Sequence, residues 1–370
     1  MKLQIPDNIK AITPYPPGKP IEELEREYGL SGSIKLASNE NPLGPSPLAV
    51  RAMRSALTGV HRYPDGSGYY LTQKLAEKFG VKPEQVVLGN GSNEIIEFLV
   101  KGFVSAGEEI ITSHPSFLMY QKFVQVRGGE NFIVPLKDMR HDLETILELI
   151  SEKTRLIFLD NPNNPCGTIL SPNEFYRFLS EVPEHVVVVI DEAYIDFMAD
   201  EYKVDVYSLI NNCEKRCGVV FMRTMSKAYG LAGIRLGFGI MNEEIAEVLH
   251  KVRQPFNVSI LALAAGLAAL DDEDFYEKTL TTTRDGKAFL QQELTQMGCR
   301  TFDSQTNFFL IDINGDADSV YQAMLRKGVI IRSMKAYGFP QYVRINVGTE
   351  NENKRFLASL QESLVECGYA

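Results

Sequence analysis

Val186-Val187-Val188-Val189-Ile190-Asp191-Glu192-Ala193-Tyr194 sets five β-branched residues in a row and ends them on a carboxylate. A strand with one wet face alternates apolar and polar residues, whereas an unbroken apolar run marks a strand covered on both faces. The same texture recurs outward from it in Val86-Val87-Leu88, Ile110-Ile111, Phe132-Ile133-Val134, Leu156-Ile157-Phe158-Leu159 and Val219-Val220-Phe221. Helical patterns such as Ile95 to Phe103 and Asp142 to Ile150 lie between several of these runs. That rhythm predicts an α/β fold: a mostly parallel sheet with helices on both faces, joined by right-handed crossovers.

Beyond Pro255 the pattern changes. Val258 to Leu270 and Phe275 to Met297 read as helices. Asn307 to Ile313, Val329 to Arg332 and Tyr342 to Val347 read as strands, with a helix around Val320 to Arg326. The expected division is therefore a large unit over 46–255 and a smaller α+β unit over 256–370 that opens with a connecting helix. Residues 1–45 carry Pro6, Pro14, Pro16, Pro17, Pro20, Pro42 and Pro45, with Pro47 just beyond, and read as an arm that contributes to the smaller unit.

Composition narrows the function. Of 370 residues, 38 are Lys or Arg and 48 Asp or Glu, a formal charge of −10 that disfavours a nucleic-acid partner. The longest nearly apolar stretch, Ile260 to Leu270, is about half the length of a helical membrane span, and the polar start broken by Pro6 is not expected to be a signal peptide. Cys166, Cys213, Cys217, Cys299 and Cys367 are scattered without a CxxC pair, which suits a reducing cytoplasm. Neither they nor the five dispersed histidines suggest a metal site.

Ligands of such sheets bind at the carboxyl ends of the strands. Four strand ends carry chemistry. Gly89-Asn90-Gly91-Ser92-Asn93-Glu94 opens a helix with small residues, which suits an anion, although a plain strand-to-helix turn has the same composition. Asp160-Asn161-Pro162-Asn163-Asn164-Pro165 holds two Asn-Pro steps that freeze an amide at the sheet edge. Asp191 ends a buried strand, where a carboxylate calls for a cationic partner. Arg223-Thr224-Met225-Ser226-Lys227-Ala228-Tyr229-Gly230, then Gly233-Ile234-Arg235, places a lysine between a buried strand and a glycine-rich segment. Loss of water and nearby cations there would make its amine nucleophilic.

The four motifs in this order resemble the fold-type I enzymes dependent on pyridoxal 5′-phosphate (PLP), in the class II-like aminotransferase branch. That resemblance implies a seven-stranded sheet. It implies that Lys227 forms the internal Schiff base and shuttles a proton, and that Asp191 pairs with the pyridine nitrogen. Asn164 and Tyr194 would donate to the ring oxygen; Gly91, Ser92, Asn93, Ser226 and Arg235 would hold the phosphate; and Phe117 would stack on the ring. Many relatives carry tyrosine at the Phe117 position, and stacking needs only the ring. Tyr63, in Arg62-Tyr63-Pro64, matches a tyrosine that reaches the cofactor of a neighbouring subunit, which implies a homodimer with shared sites.

Thr13-Pro14-Tyr15, Leu36-Ala37-Ser38-Asn39-Glu40-Asn41-Pro42 and Arg344-Ile345-Asn346-Val347-Gly348-Thr349 are similar to the histidinol-phosphate aminotransferases of histidine biosynthesis. The implied reaction converts histidinol phosphate and 2-oxoglutarate to imidazole-acetol phosphate and glutamate. Arg344 and Arg332 would bind the phosphate or carboxylate ends, with Tyr15 lining the same pocket. Aromatic-amino-acid aminotransferases and threonine-phosphate decarboxylases share most of these residues. A PLP-binding sensor is the reading from another class, and the proline-rich, non-basic arm does not fit the DNA-binding domain such sensors carry.

Overall fold

The computed structural model describes residues 3–14, 18–211 and 217–369. Its main sheet has seven strands: β1 Val86–Gly89, β2 Glu109–His114, β3 Glu130–Pro135, β4 Thr154–Asp160, β5 Val187–Asp191, β6 Gly218–Thr224 and β7 Gly237–Met241. They lie in the order β1-β7-β6-β5-β4-β2-β3. Strands β2 to β6 run parallel to one another, and β7 runs antiparallel to both β1 and β6. Side chains of alternate residues project to opposite faces. Val188, Ile190 and Phe221 enter one apolar core, while Val187, Val189, Val220 and Met222 enter the other.

No apolar run announced β7, because Gly237 and Gly239 interrupt it. Both are there for close approach. A Cβ on Gly237 would stand 2.2 Å from the Ser92 amide nitrogen, and one on Gly239 would stand 3.3 Å from Ile95 Cγ2. Two missing side chains let the helix Ser92–Phe103 settle directly on this strand.

The C-terminal sheet is antiparallel, in the order Arg332–Ser333, Tyr342–Asn346, Phe308–Asp312, Arg300–Thr301. The run Val329 to Arg332, expected as one strand, is divided. Val329–Ile330 pairs in parallel with Ile34–Lys35, whereas Arg332 pairs with Arg344. Ile331 is buried between them, so a single residue passes the chain from one sheet to the other.

The N-terminal segment touches both parts of the molecule. Asn8 Nδ2 donates to the carbonyls of Gln125 and Val126 at 3.0 Å, on the helix Met119–Arg127. Leu24 is buried with Ala37, Leu325 and Ile330 on the C-terminal side. The helix Ile260–Ala269 buries Ala262, Ala265 and Ala269 in the core of the main sheet. Among the described residues no helix is long and apolar enough to cross a membrane.

Candidate active site

The carboxyl ends of β4, β5 and β6 open onto a cavity of about 420 Å³, where strand-end ligand sites belong. Lys227 reaches it from the turn after β6. Gly230, at φ +69°, closes that turn against the Gly44 carbonyl, where any side chain would collide. Lys227 Nζ donates to the Ser38 carbonyl at 3.2 Å and lies 5.6 Å from the centre of the Tyr194 ring. Removal from bulk water, helped by the Arg344 guanidinium and opposed by Glu40, pulls its pKa down from 10.5 to about 8.

Asp191 terminates β5 and is only 5% exposed. Tyr120 donates its hydroxyl to Oδ2 at 2.7 Å, and the Ala193 N–H donates to Oδ1 at 3.0 Å. Burial pushes the carboxyl up to about 7, with the Tyr120 hydrogen bond opposing the rise. Both hydrogen bonds to the carboxylate come from neutral donors.

Tyr194 closes the same wall. Its hydroxyl accepts from Asn39 Nδ2 at 2.8 Å and from Asn164 Nδ2 at 3.4 Å. Burial pushes the phenol up to about 12, so it keeps its proton as a donor. Asn164 is held by its backbone N–H on Asp160 Oδ2 at 2.8 Å, and its side-chain oxygen accepts from Arg344 Nη1. Arg344, itself 6% exposed, also donates to the Ala37 carbonyl at 3.1 Å and packs over Phe308.

Ser92, Asn93, Ser226 and Arg235 form another part of the wall. The helix Ser92–Phe103 begins there without a side-chain cap, leaving its first N–H groups available. Gly91 sits at φ +78°, and a Cβ on it would lie 2.4 Å from Arg235 Nη2. Arg235 adopts φ +60°, an unfavourable conformation for a residue other than glycine, and is pinned by Nη1 donating to the Ala232 carbonyl at 3.0 Å. Asn93 Oδ1 is buried without a hydrogen-bond partner among the described residues. Helix N–H groups, two hydroxyls and one guanidinium around a space kept clear by glycine fit a phosphate. Phe117 lines the cavity from the side of β2.

Thus Lys227, Asp191, Tyr194, Asn164, Ser92, Asn93, Ser226, Arg235 and Phe117 all line one cavity, and Gly91 and Arg344 support it. Arg332 does not line it; it borders a second cavity of about 630 Å³ that shares Ala37 with the Arg344 contact. Tyr63 is 81% exposed, stacked on Phe256 with ring centres 4.7 Å apart, and stands outside the cavity. Tyr15 and Cys213 lie outside the described residues.

Sequence reasoning passed over several residues of the site. Tyr120 holds Asp191, Asn39 holds Tyr194, and Asp160 holds Asn164 while facing His141 Nε2 at 3.2 Å. Asn39 lies within the Leu36-Ala37-Ser38-Asn39-Glu40-Asn41-Pro42 segment, and Tyr120 follows Phe117 by three residues. Nothing local in either stretch shows which distant atom it meets.

The aminotransferase class I and II family matches residues 31–360 of the chain. A histidinol-phosphate aminotransferase of Desulfotalea psychrophila is 61% identical over all of this chain and 97% of its own length. One from Moorella thermoacetica is 42% identical over 96% of this chain and 92% of its own. The crystal structure of histidinol-phosphate aminotransferase from Sinorhizobium meliloti in complex with pyridoxal-5′-phosphate superposes with a TM-score of 0.91 at 27% identity, covering 99% of each chain. The order of strand-end motifs, the single cavity they build and these likenesses agree: the chain belongs to the class I and II aminotransferases and, within them, to the histidinol-phosphate aminotransferase family.

Proposed function

We propose that the chain is a PLP-dependent transaminase that converts histidinol phosphate and 2-oxoglutarate to imidazole-acetol phosphate and glutamate in histidine biosynthesis. The observation that carries this reading is one cavity holding a lysine amine with a pKa near 8, a buried strand-end carboxylate and a phosphate cradle.

PLP, when bound, supplies a carbonyl for amine exchange and a ring that delocalises the electron pair left when the substrate α-carbon loses a proton. The chain's residues would do the rest. Ser92, Asn93, Ser226 and Arg235 would hold the phosphate, with Gly91 keeping their space open. Phe117 would pack on the ring face, while Asn164 and Tyr194 would donate to the ring oxygen. Asp191, as an anion, would keep a proton on the ring nitrogen. The Lys227 amine, half-neutral near pH 8, would take the proton from the substrate α-carbon and return it.

Arg344 would bind the anionic end of either substrate, since its fork fits phosphate and carboxylate alike. Arg332 on the adjoining cavity and Tyr15 on the arm would complete that pocket. A homodimer is part of the same reading: Tyr63 is 81% exposed and stacks on the exposed Phe256, and Leu57, Val60 and Tyr70, close to it in the chain, are exposed as well, apolar surface suited to a second copy whose cofactor Tyr63 would reach. The division into an arm over 1–45, a large unit over 46–255 and a small unit over 256–370 is likewise proposed, supported by the separate apolar core of the C-terminal sheet, with the connecting helix Ile260–Ala269 packed on the core of the main sheet. A cytoplasmic location fits Cys166, Cys299 and Cys367, which are free thiols.

The test is to load the protein with PLP and follow each half-reaction spectrally with histidinol phosphate, phenylalanine and threonine phosphate in parallel. Histidinol phosphate and 2-oxoglutarate should turn over fastest, and a preference for phenylalanine or release of carbon dioxide from threonine phosphate would overturn the substrate assignment.

A further inference from the structure

We propose that Tyr120 is a positioning residue that fixes Asp191 and Phe117 against one another, so that one phenol sets both the nitrogen contact and the face contact of a bound pyridine ring. The proposal rests on the PLP reading above. Tyr120 lies on the helix Met119–Arg127 and is fully buried. Three contacts leave its ring a single orientation. The ring lies flat on Phe158 of β4, with centres 4.8 Å apart and planes 9° apart. It meets Phe117 edge to face at 5.6 Å and 80°. Its hydroxyl donates to Asp191 Oδ2 at 2.7 Å.

The hydroxyl acts in one direction only. Burial and the adjacent carboxylates push the phenol well above 10, so its proton stays and donates to Asp191. Asp191 Oδ1 is already taken by the Ala193 N–H, and with Oδ2 held as well the carboxylate cannot rotate. Two other acids face Asp191, and each is committed elsewhere. Glu192 pairs with Arg223 at 2.7 Å, and Asp160 is held by the Asn164 N–H, by Asn163 Nδ2 and by His141. Lys227 and Tyr194 line the same cavity, but Tyr194 spends its acceptor on Asn39 and Lys227 donates to Ser38. Tyr120 is thus the side chain among the described residues that satisfies Asp191. The coupling to Phe117 is built into the chain: the two are three residues apart, and the Tyr120 N–H donates to the Phe117 carbonyl at 3.3 Å.

The experiment compares wild type, Tyr120→Phe, Asp191→Asn and the double variant. Each PLP-free protein is titrated with PLP and the bound absorbance followed; kcat and KM are then measured on the loaded proteins. Phenylalanine keeps both ring contacts and removes only the hydroxyl. A hydrogen bond to a charged group corresponds to about a tenfold to hundredfold change in an equilibrium constant. Tyr120→Phe should therefore weaken PLP binding by at least about tenfold and lower kcat, with KM for the amino donor changed by less than about twofold. In the Asp191→Asn background the same substitution should change PLP affinity by less than about threefold. Wild-type affinity in Tyr120→Phe, or an equal loss in both backgrounds, would overturn the role of Tyr120. Should the single variant unfold, the cost must be an unsatisfied buried carboxylate, so Asp191→Asn must restore folding, and a double variant that also unfolds counts against the proposal. A wild-type protein that takes up no PLP would overturn the cofactor reading itself, a result distinct from normal loading beside an unaffected Tyr120→Phe.

Discussion

Asp191→Asn should make the PLP-free protein more stable while it removes the activity. Burial lifts the Asp191 carboxyl from 3.8 to about 7. At 1.36 kcal/mol per tenfold, keeping it ionised in the folded chain costs up to about 4 kcal/mol. Asparagine has no charge to desolvate. Its oxygen can still accept from the Ala193 N–H, and its amide can donate to the Tyr120 hydroxyl, which turns to accept; that exchange costs about 1 kcal/mol. The net gain is about 3 kcal/mol, or roughly 3–5 °C in melting midpoint for a chain of this size.

The pH window follows from the raised value, because the folded state binds the Asp191 proton more tightly than the unfolded one. The penalty on wild type is absent below 3.8, grows as pH rises toward 7 and is constant above it. Lys227, with its lowered value, changes stability only above about pH 8, where the unfolded chain alone retains the proton, so the two effects separate. Thermal melts of both PLP-free proteins from pH 5 to 7.5 are the assay: the variant's advantage should widen with pH. An advantage independent of pH, or a less stable variant at pH 7.5, would refute the desolvation argument. With PLP added the order should reverse, since wild type binds the cofactor more tightly and gains more from mass action.

The rate at which the PLP-free protein takes up PLP should rise with pH through a midpoint near 8, as the Lys227 ammonium loses its proton; a midpoint above 10 would show an ordinary solvated lysine. Arg344→Ala frees Asn164 and the Ala37 carbonyl together, so both half-reactions, measured separately by spectra, should weaken at least about tenfold, and an effect confined to one would break the shared-anion assignment. Gly237→Ala puts a Cβ 2.2 Å from the Ser92 nitrogen and must displace the helix start, so PLP titration should show at least about a tenfold weaker complex; unchanged affinity would mean that this approach does not shape the phosphate cradle.

The residues legible in sequence are those whose local pattern is itself the chemistry. Asp191 behind five β-branched residues, Asn164 between two prolines and Lys227 after a buried strand each announce a strand end, and parallel strands bring strand ends together. Strand β7 stayed hidden because its glycines serve the helix beside it, not the strand. Tyr120 and Asn39 stayed hidden for a related reason. Their partners, Asp191 and Tyr194, lie 71 and 155 residues away in the chain, and only the completed fold makes either contact. Arg332 marks the opposite limit: its register against Arg344 is regular β-pairing, yet the side chain borders the neighbouring cavity.

The same physical cause acts on both ends of the site with opposite signs. Exclusion of water disfavours charge, lowering the amine of Lys227 to about 8 and raising the acid of Asp191 to about 7. Groups that would ordinarily stand more than six decades apart are brought within about one, so near neutral pH each keeps an appreciable neutral fraction. Such a pair suits a ligand with an electrophilic carbonyl at one end and a basic ring nitrogen at the other: the amine can attack, and the acid can yield its proton to the ring and stay as the balancing anion. A lysine with a lowered pKa alone would specify only a nucleophile, and a buried carboxylate alone only a cation. Held in one cavity beside a phosphate cradle, with Tyr120 and Arg344 fixing their neighbours, the two specify the polarity of the ring between them.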